Sequence, residues 1–305
     1  MNNIYYKPEG FTKRTEPLTI SALEKAKNTR QILEAKAIMC DNEHNLIVDL
    51  GDDIKGIIPR DEAALGIREG EVRDIAVLSR VNKQICFKIS NIRRDDGQTV
   101  ASLSRVSAQQ DALEYMLHTY TKGDIINARI THMEPFGAFA DIGCGIIGLI
   151  SIENISVSRI SHPRDRFYIG QNIKTVIKDI DKVNKRFTLS HKELLGTWKE
   201  NTALFQTGQT VCGVIRSIED YGVFVELTPN LAGLAEYRSD VVSGQQATVF
   251  IKNIIPEKMK VKLSIIDSFD AETQIQEYKY FVKEPHINIF KYSPPECSKV
   301  IETVF

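Results

Sequence analysis

The chain has 305 residues, enough for two to three domains of about 100 to 150 residues each. Its 39 lysines and arginines nearly balance its 40 aspartates and glutamates. The net charge of −1 therefore excludes a protein that condenses nucleic acid or binds an anionic membrane through its overall field. Apolar residues make up 42% and charged residues 26%, which is typical of a folded globular protein rather than a disordered or fibrous one.

Several functional classes have no support in the sequence. No apolar run approaches the ~20 residues of a membrane span, and Met1–Lys7 lacks the apolar stretch of a secretory signal, so we expect a cytoplasmic protein without a membrane partner. The cysteines form no CxxC pair and the histidines no HExxH arrangement. Gly143–Gly148 spells GxGxxG, but residues 149–154 are too short and strand-like a segment for the helix that this motif must open. We predict no catalytic residue, no metal site and no cofactor.

In chain order, residues 1–32 are predicted to form an N-terminal extension with a short helix. Residues 33–106 follow as a degenerate copy of a repeat that is clearer downstream. This copy carries about 14 extra residues, which we expect in a longer hairpin around Val81–Gln84. Apolar residues then recur at helical spacing, so residues 106–120 are predicted to form a connecting helix.

Two further copies share one spacing of landmarks, over residues 121–192 and 207–267. The first two glycines of each copy are 14 residues apart, the next interval is 11 in both, and a later glycine precedes a Leu-Ser pair by 19 in both. These landmarks are Gly123, Gly137, Gly148, Gly170 and Leu189 in one copy, and Gly208, Gly222, Gly233, Gly244 and Leu263 in the other. The interval between the third and fourth glycines differs, as expected of a surface loop between fixed strands.

Five short β-branched segments lie within the central copy, and they favour a closed five-stranded barrel over an open sheet. The predicted strands are Ile125–Ile130, Ala138–Ile142, Ile146–Ile150, Ile173–Ile180 and Arg186–Leu189. Residues 193–205 are a second candidate helix, weakened by Gly196. Residues 268–305 form a C-terminal tail in which Ser268 could begin a helix carrying Ile275, Tyr278 and Val282.

The motifs of the central copy resemble the S1 RNA-binding domain family, an OB-type barrel. They are Lys122-Gly123-Asp124-Ile125, Phe136-Gly137-Ala138-Phe139, Gly148-Leu149-Ile150-Ser151 and Lys185-Arg186-Phe187-Thr188-Leu189-Ser190. The resemblance is specific for the central copy and good for the third. It rests on a few anchors in the first, and covers roughly three quarters of the chain. It implies an all-β chain of three tandem five-stranded OB-fold (S1-type) barrels joined by short helical linkers, with a small C-terminal tail.

The resemblance also implies a function without catalysis. We expect the chain to bind single-stranded RNA, including mRNA, in translation at or near the small ribosomal subunit, with the ribosome or ribosomal proteins as further partners. One alternative is an adaptor whose first and third barrels bind proteins. Another is an accessory factor in RNA decay or post-transcriptional regulation. For Tyr278–Lys283, which interleaves aromatic residues with cations, an extended RNA groove and packing against a barrel both remain open.

Phe136 and Phe139 are the main candidate RNA-binding residues, because exposed rings on a small barrel stack on unpaired bases. Strand alternation would put them on opposite faces, but a bulge at Gly137 could bring both outward. The alternative is that the rings fill the core. Tyr221 and Phe224, at the same positions of the third copy, favour the exposed arrangement.

The resemblance supplies the rest of the expected RNA surface. Ser151 stands where the family often has histidine, while Asp181 and Arg186 match two further positions, with Lys185 beside them. Residues 121–200 contain 12 lysines and arginines against 9 aspartates and glutamates, a surplus of 3, whereas the other two copies are slightly acidic. The central copy is therefore expected to bind RNA best.

The outer copies match this surface poorly. In the third copy, Glu236, Ile255 and Lys260 replace the serine, aspartate and arginine, and Glu236 is expected to repel phosphate. In the first copy His44, Ile47 and Pro59 occupy the two aromatic positions and the serine position. By analogy with the family, residues 33–106 are a candidate for docking on proteins.

Overall fold

The computed structural model describes residues 6–11, 18–51, 54–95, 97–270 and 278–305. It contains three closed barrels of five strands each. In every barrel the order around the wall is first, second, third, fifth and fourth strand, and the fourth returns to the first. The third and fifth strands pair in parallel and the other neighbours are antiparallel. The predicted fold class is therefore confirmed.

A short helix, α1 (Ile20–Asn28), precedes the first barrel. The Thr19 hydroxyl caps it by accepting a hydrogen bond from Ala22 N at 3.3 Å. The strands of the first barrel are β1 (Leu33–Cys40), β2 (Leu46–Asp49), β3 (Ile54–Ile58), β4 (Gln84–Asp95) and β5 (Gln98–Ser104).

The prediction of a longer hairpin around Val81–Gln84 is wrong. The extra residues of this copy lie between β3 and β4, where they form a short helix, α2 (Ile75–Leu78), and a turn with Asn82 at φ +65°. The hairpin of β4 and β5 instead turns beyond Asp95, which pairs with Gln98. Turn-forming residues mark a chain reversal, but they do not say which two strands it joins.

The predicted connecting helix is present as α3 (Arg105–Thr119), and it joins the first barrel to the central one. The Ser104 hydroxyl caps it by accepting a hydrogen bond from Ser107 N at 2.9 Å. All five predicted strands follow, as β6 (Ile125–Glu134), β7 (Gly137–Gly143), β8 (Ile146–Ser151), β9 (Asn172–Asp181) and β10 (Arg186–Ser190).

The second candidate helix is broken in two, into a 3-10 turn at Lys192–Leu195 and α4 (Trp198–Thr202). Gly196 separates them because its φ is +86°, and a Cβ there would lie 2.7 Å from Cδ2 of Phe281. The third barrel follows, with strands β11 (Thr210–Glu219), β12 (Gly222–Thr228), β13 (Leu231–Ala235), β14 (Gln246–Ile255) and β15 (Lys260–Phe269).

The tail ends in a two-stranded sheet of β16 (Ile289–Lys291) and β17 (Glu302–Val304). Ser268 does not begin a helix, because it lies in β15 opposite Ala247. Ile275, also assigned to that helix, falls outside the described residues. None of the helices in the described ranges is long and apolar enough to cross a membrane.

Residues 278–283 pack against the central barrel and its linker, which is the second of the two interpretations of this segment. The Tyr280 hydroxyl accepts a hydrogen bond from Lys174 N of β9 at 3.0 Å, and Phe281 N donates to Leu194 O at 3.0 Å. Further along, Ile287 N donates to Gly123 O at 2.9 Å. The Tyr292 hydroxyl donates to Asn230 O of the third barrel at 2.5 Å, so the tail contacts both the central and the third barrel.

A buried ion pair joins the first and central barrels. Arg105, the first residue of α3, donates through Nε to Glu9 Oε1 at 2.8 Å and through Nη2 to Glu9 Oε2 at 3.0 Å. Glu9 also accepts a hydrogen bond from Cys86 N of β4 at 3.0 Å, and its own N donates to Asp141 Oδ2 of β7 at 2.7 Å. Because these bonds reach both barrels, they fix how the barrels sit against each other.

His191 is wholly buried after β10, among the rings of Phe167, Tyr278 and Tyr280, whose centroids lie 4.7 to 5.7 Å from its own. Burial lowers the pKa of His191 from 6.5 to about 3, because the cation would lose its hydration. The folded protein thus keeps this imidazole neutral, whereas the unfolded chain protonates it below its ordinary pKa.

We expect acid to destabilise the junction of the central and third barrels through His191. Between the ordinary pKa of 6.5 and about pH 5, the loss should reach about 2 kcal/mol, because the unfolded state alone takes up the proton. Urea midpoints at three pH values measure it. His191→Asn, which keeps a donor for Ile155 O, should be less stable at neutral pH but less sensitive to acid. If the urea midpoint fell equally with pH in wild type and in His191→Asn, His191 would not be the group that makes the fold sensitive to acid.

Candidate nucleic-acid interface

Two aromatic rings share the outer surface at one end of β7. Phe136 stands in the two-residue turn between β6 and β7 and is 56% exposed, while Phe139 in β7 is half-buried. The two ring centroids are 6.0 Å apart, with the ring planes at 90°. Phe136 therefore presents most of its surface to solvent, and Phe139 supports it from the side.

The prediction of a bulge at Gly137 is wrong, although the rings of Phe136 and Phe139 do contact each other on one face. Gly137 pairs regularly with Glu134, and the bulge lies in the opposite strand, at Thr131 of β6. Phe136 reaches the face of Phe139 because it lies in the turn, where strand alternation does not apply. Glycine is required at position 137 for a different reason, since a Cβ there would lie 2.5 Å from Ile150 O.

Phe139 belongs to a row of outward side chains that crosses the barrel wall. From β6 to β9, the row consists of His132, Phe139, Leu149, Thr188 and Asp179. The His132 ring stacks on Phe139 with centroids 6.0 Å apart and planes at 27°. Lys122 Nζ pairs with Asp179 Oδ1 at 2.6 Å, so this ion pair closes the far side of the row. The row thus extends the aromatic pair into a continuous, partly apolar surface across the barrel wall.

A lysine reaches the aromatic end through a bulge in β9. The bulge faces Thr188 and Leu189, and Lys178 is its unpaired residue. Lys178 Nζ donates to Asn154 Oδ1 at 2.9 Å, and Asn154 Nδ2 in turn donates to Ser151 Oγ at 2.7 Å. Because its bonded partner here is a neutral amide, the ammonium keeps its charge available for an anion.

Ser151 lies beside the aromatic turn, opposite Gly137. Its hydroxyl donates to Glu153 Oε1 at 2.6 Å, and this hydrogen bond is the largest cause of the lowered pKa of Glu153. The Ser151 hydrogen is thus already used within the protein. Its observed part is to position Glu153 and Asn154 rather than to project toward solvent.

Lys185 and Arg186 lie at the other end of the face, Lys185 as the last residue of the turn between β9 and β10 and Arg186 as the first residue of β10. Arg186 precedes Phe187, which pairs with Gly148, whereas Ser151 ends the same strand, β8. The two ends are therefore about 10 to 13 Å apart at ~3.3 Å per residue. Both cations are exposed, and they lie apart from the aromatic pair along the strand direction.

Asp181 shapes that turn. Its Oδ1 accepts hydrogen bonds from Val183 N at 3.0 Å and Asn184 N at 2.9 Å, and its Oδ2 accepts from Asn184 Nδ2 at 2.7 Å. The bonds from Asn184 are the largest causes of the lowered pKa of Asp181. Lys185 follows with φ +54°, a left-handed conformation that the capped turn holds in place.

The third barrel repeats the aromatic pair but neutralises its lysine. Tyr221 is 69% exposed, and its ring centroid lies 6.1 Å from that of Phe224 with the planes at 88°. Lys252 is the unpaired bulge residue of β14, the counterpart of Lys178. Its Nζ pairs with Glu236 Oε1 at 2.7 Å, so the carboxylate takes the charge that an RNA phosphate would use.

The third barrel compensates with a cation in its row, which consists of Ser217, Phe224, Leu234, Lys262 and Asn253. Lys262 stands where the central barrel has Thr188. It is exposed and forms no ion pair with any described residue. Lys260 lies at the turn, paired along the backbone with Ile255 as Arg186 is with Asp181.

The first barrel has no comparable surface. Its row of Met39, Ile47, Ile57, Ser102 and Asn91 contains no aromatic ring and no cation. His44 lies in the turn with φ +64°, and Ile47 is only 7% exposed. Asn91 also accepts a hydrogen bond from Lys27 of α1 at 3.0 Å. This face therefore has no ring on which a base could stack, and its one neighbouring cation among these residues, Lys27, comes from α1 rather than from the barrel wall.

Sequence reasoning missed two contributors, the position of Lys178 and the whole role of Lys262. Lys178 was noted only as a nearby charge, because a bulge cannot be read from spacing. Lys262 was detectable, since it precedes the Leu-Ser landmark as Thr188 does in the central copy. Within the described ranges, no group of three His, Cys, Asp or Glu side chains is placed to hold a metal ion.

Comparison with known proteins agrees with this geometry. Residues 119–192 match the S1 RNA binding domain. The chain is 29% identical to small ribosomal subunit protein bS1 of Staphylococcus aureus over 84% of this chain and 66% of that protein. It is 28% identical to a bS1 homolog of Bacillus subtilis over 83% of this chain and 64% of that protein. It thus spans just under two thirds of the length of these relatives.

A similarity was also found to a solved structure. It is a multidomain protein with nucleic acid binding domains from Streptococcus pneumoniae, 14% identical, with a TM-score of 0.25. The match covers 79% of this chain and 75% of that one.

Proposed function

We propose that the chain binds single-stranded RNA through the outward face of its central barrel, which contains the residues, 119–192, that match the S1 RNA binding domain. The observation that carries this proposal is the exposed Phe136 ring, 6.0 Å from Phe139. Lys178, whose ammonium is bonded to a neutral amide, is linked to the same aromatic turn through Asn154 and Ser151. Stacking on the rings holds unpaired bases, and the lysine takes an adjacent phosphate.

The remaining residues have graded roles in this proposal. Lys185 and Arg186 bind the phosphates of the strand as it leaves the face, and Asp181 holds their turn in shape. In the third barrel, Tyr221 and Phe224 with Lys260 and Lys262 form a second, weaker site. Since both sites belong to one chain, the second contact is intramolecular and adds to the affinity.

The proposed setting is translation, with mRNA as the RNA and the small ribosomal subunit as the place of action, in the cytoplasm. The names of the bS1 relatives support this setting. We propose no catalytic activity, which the match to an RNA-binding family supports. The test is cosedimentation of the full chain with purified small subunits, with and without an mRNA. Binding of RNA without any binding to subunits would restrict the proposal to RNA.

An adaptor role has one observation in its favour, which is the first barrel. Its row lacks rings and cations, and Met39 within it is 51% exposed. We propose that this barrel contributes a contact to a protein rather than to RNA. A chain with Met39→Lys should then keep its affinity for free RNA while losing affinity for the subunit.

We expect a shallow salt dependence of RNA binding, because the central face offers few free cations. The logarithm of the affinity should fall against that of the salt concentration with a slope of about −1.4 to −3, corresponding to roughly two to four phosphates on a single strand. Fluorescence-anisotropy titrations of a labelled RNA between low and moderate salt measure this slope.

Two controls accompany the salt titration. A duplex of the same sequence should bind far more weakly, since paired bases cannot stack on the rings. The labelled RNA should also remain full-length on a gel afterwards. A slope as steep as that of about six or more phosphates would show that the main basic surface lies elsewhere.

A further inference from the structure

A cavity of about 600 Å³ lies where the loop after β8 meets the C-terminal tail. Its walls are largely apolar, and the residues that form them are Ile152, Val157, Ile160, Phe290, Tyr292 and Ile301. Cavities of this size and lining are typical of sites for small ligands. The loop and the tail are separated by more than a hundred residues in sequence, so only the folded chain creates this site.

Ser158 lines the same cavity and is 7% exposed. Its backbone is satisfied, since Ser158 N donates to Pro229 O at 3.3 Å and Ser158 O accepts from Ser156 Oγ at 2.8 Å. Its side-chain hydroxyl, however, is buried and has no hydrogen-bond partner among the described residues. The hydroxyl is enclosed in the cavity wall, so a ligand reaches it only when the Ser158 side chain turns about its Cα–Cβ bond into the cavity. The hydrogen bond gained there would offset the cost of burying the hydroxyl unpaired.

The rim of the cavity is charged in both senses. Lys192 and Arg159 line it, and Lys192 Nζ donates to Glu153 O at 3.2 Å. Glu153 and Glu302 line it too, although the Glu153 carboxylate is already bonded to Ser151. The two cations of the rim suit a ligand with a phosphate that stays outside the cavity. The two carboxylates suit amino groups at the edge of an apolar ring system.

The cavity is continuous with the central face. Ile152 and Glu153 follow Ser151 directly, and Ser151 stands opposite Gly137 at the aromatic turn. Ile152 N also donates to Phe136 O at 2.9 Å, so one wall of the cavity is bonded to the aromatic turn. The nucleotides adjacent to a base stacked on Phe136 can therefore reach the cavity.

We propose that this cavity binds one base of the RNA, turned out of the stack as the strand passes from the central face toward the tail. A nucleobase has the apolar faces that the walls require and the polar edge that Ser158 lacks. Lys192 and Arg159 then hold the flanking phosphates. This proposal rests on the proposed function, because it takes its ligand from the strand already bound by Phe136.

Abasic scanning with the full chain tests the proposal. A single abasic site is moved along a labelled oligoadenylate of about 12 nucleotides, and each affinity is measured by anisotropy. Positions that stack on the rings should lose their effect in the Phe136→Ala/Phe139→Ala variant. One further position should cost about tenfold in the wild type and remain sensitive in that variant.

Filling the cavity should abolish this further penalty alone. We expect Ile160→Trp to remove the tenfold cost at the further position while leaving the stacking positions unchanged. Ser158→Ala, which removes the hydroxyl without filling the space, should reduce the same cost. Val242→Trp is the matched control, because Val242 is 60% exposed in the third barrel, outside the cavity lining. Thermal melts show whether each variant folds.

The outcomes separate the two proposals. If every abasic penalty disappears with the phenylalanines, or none changes in Ile160→Trp and Ser158→Ala, the cavity does not hold a base, although the chain still binds RNA. The cavity proposal is equally overturned if the cavity proves to take a peptide while RNA binding is unaffected. If the wild-type chain binds no single-stranded RNA, the proposed function itself fails, and the cavity proposal fails with it.

Discussion

Replacing Phe136 and Phe139 together with alanine should weaken the binding of single-stranded RNA by about 2 to 5 kcal/mol, which is roughly 30-fold to several-thousand-fold. The reason is that each ring stacks on a base, and no other exposed aromatic pair is present in the described part of the central barrel. Anisotropy titrations of the full chain at fixed salt measure the loss.

The same variant should remain folded. Phe136 stands in a turn with more than half its surface exposed, and Phe139 is half-buried on the outer face, where its ring contacts those of Phe136 and His132. We expect a cost of about 1 to 2 kcal/mol in folding stability, against the 3 to 5 kcal/mol that truncating each ring would cost in a core. A melt that shows an unfolded central barrel would assign the rings to the core instead.

The third barrel supplies the matched control. Tyr221→Ala with Phe224→Ala removes the same two rings, but here the neighbouring lysine is neutralised by Glu236. We expect a loss below about 1 kcal/mol, because the tethered second site adds only part of the affinity. Equal losses from the two double variants would contradict the ranking of the barrels. Glu236→Gln is a further test of this ranking. It should strengthen RNA binding by the third barrel, because Lys252 loses its ion-pair partner.

The barrel fold was predictable because its signals are local. Each strand of the central barrel is a short β-branched segment bounded by turn residues, and the spacing of the glycines repeats in the third. The β3–β4 insertion of the first barrel was not predictable, because its residues form a short helix and a turn around Asn82 that resemble a hairpin in composition. Gly196 shows the opposite case, a break that the residue type did indicate.

The site was predictable only where it depends on residue type. Aromatic residues at positions 136 and 139 indicated stacking. That Phe136 lies in the turn, and that a bulge at Thr131 places His132 opposite Phe139, can be seen only from the strand register. Lys178 reaches Asn154 through a bulge of the same kind. A bulge changes which side a residue faces without changing its sequence neighbours, so spacing carries no trace of it.

Replacing Arg105 with methionine should destabilise the contact between the first and central barrels by about 3 to 5 kcal/mol, because it leaves the buried Glu9 carboxylate without its main partner. Both side chains are about 5% exposed, so water cannot solvate the remaining charge. Arg80 Nη1, 3.6 Å from Glu9 Oε2, offers only partial compensation. Urea denaturation followed by circular dichroism should show an earlier first transition, since separate barrels need not unfold together.

One further variant and a pH titration distinguish the lost ion pair from lost packing. Glu9→Gln combined with Arg105→Met removes both charges, so it should recover a large part of the stability that Arg105→Met loses. In Arg105→Met alone, burial should raise the pKa of Glu9, so the folded state binds a proton that the unfolded chain releases. Its stability should therefore fall as pH rises through that pKa.

The RNA affinity of the Arg105→Met variant should be nearly unchanged, because Glu9 and Arg105 lie outside the proposed RNA face. We expect the folded variant to bind single-stranded RNA within about twofold of wild type, a difference below about 0.5 kcal/mol. A large loss of affinity would instead show that the angle between the first two barrels is part of the RNA site.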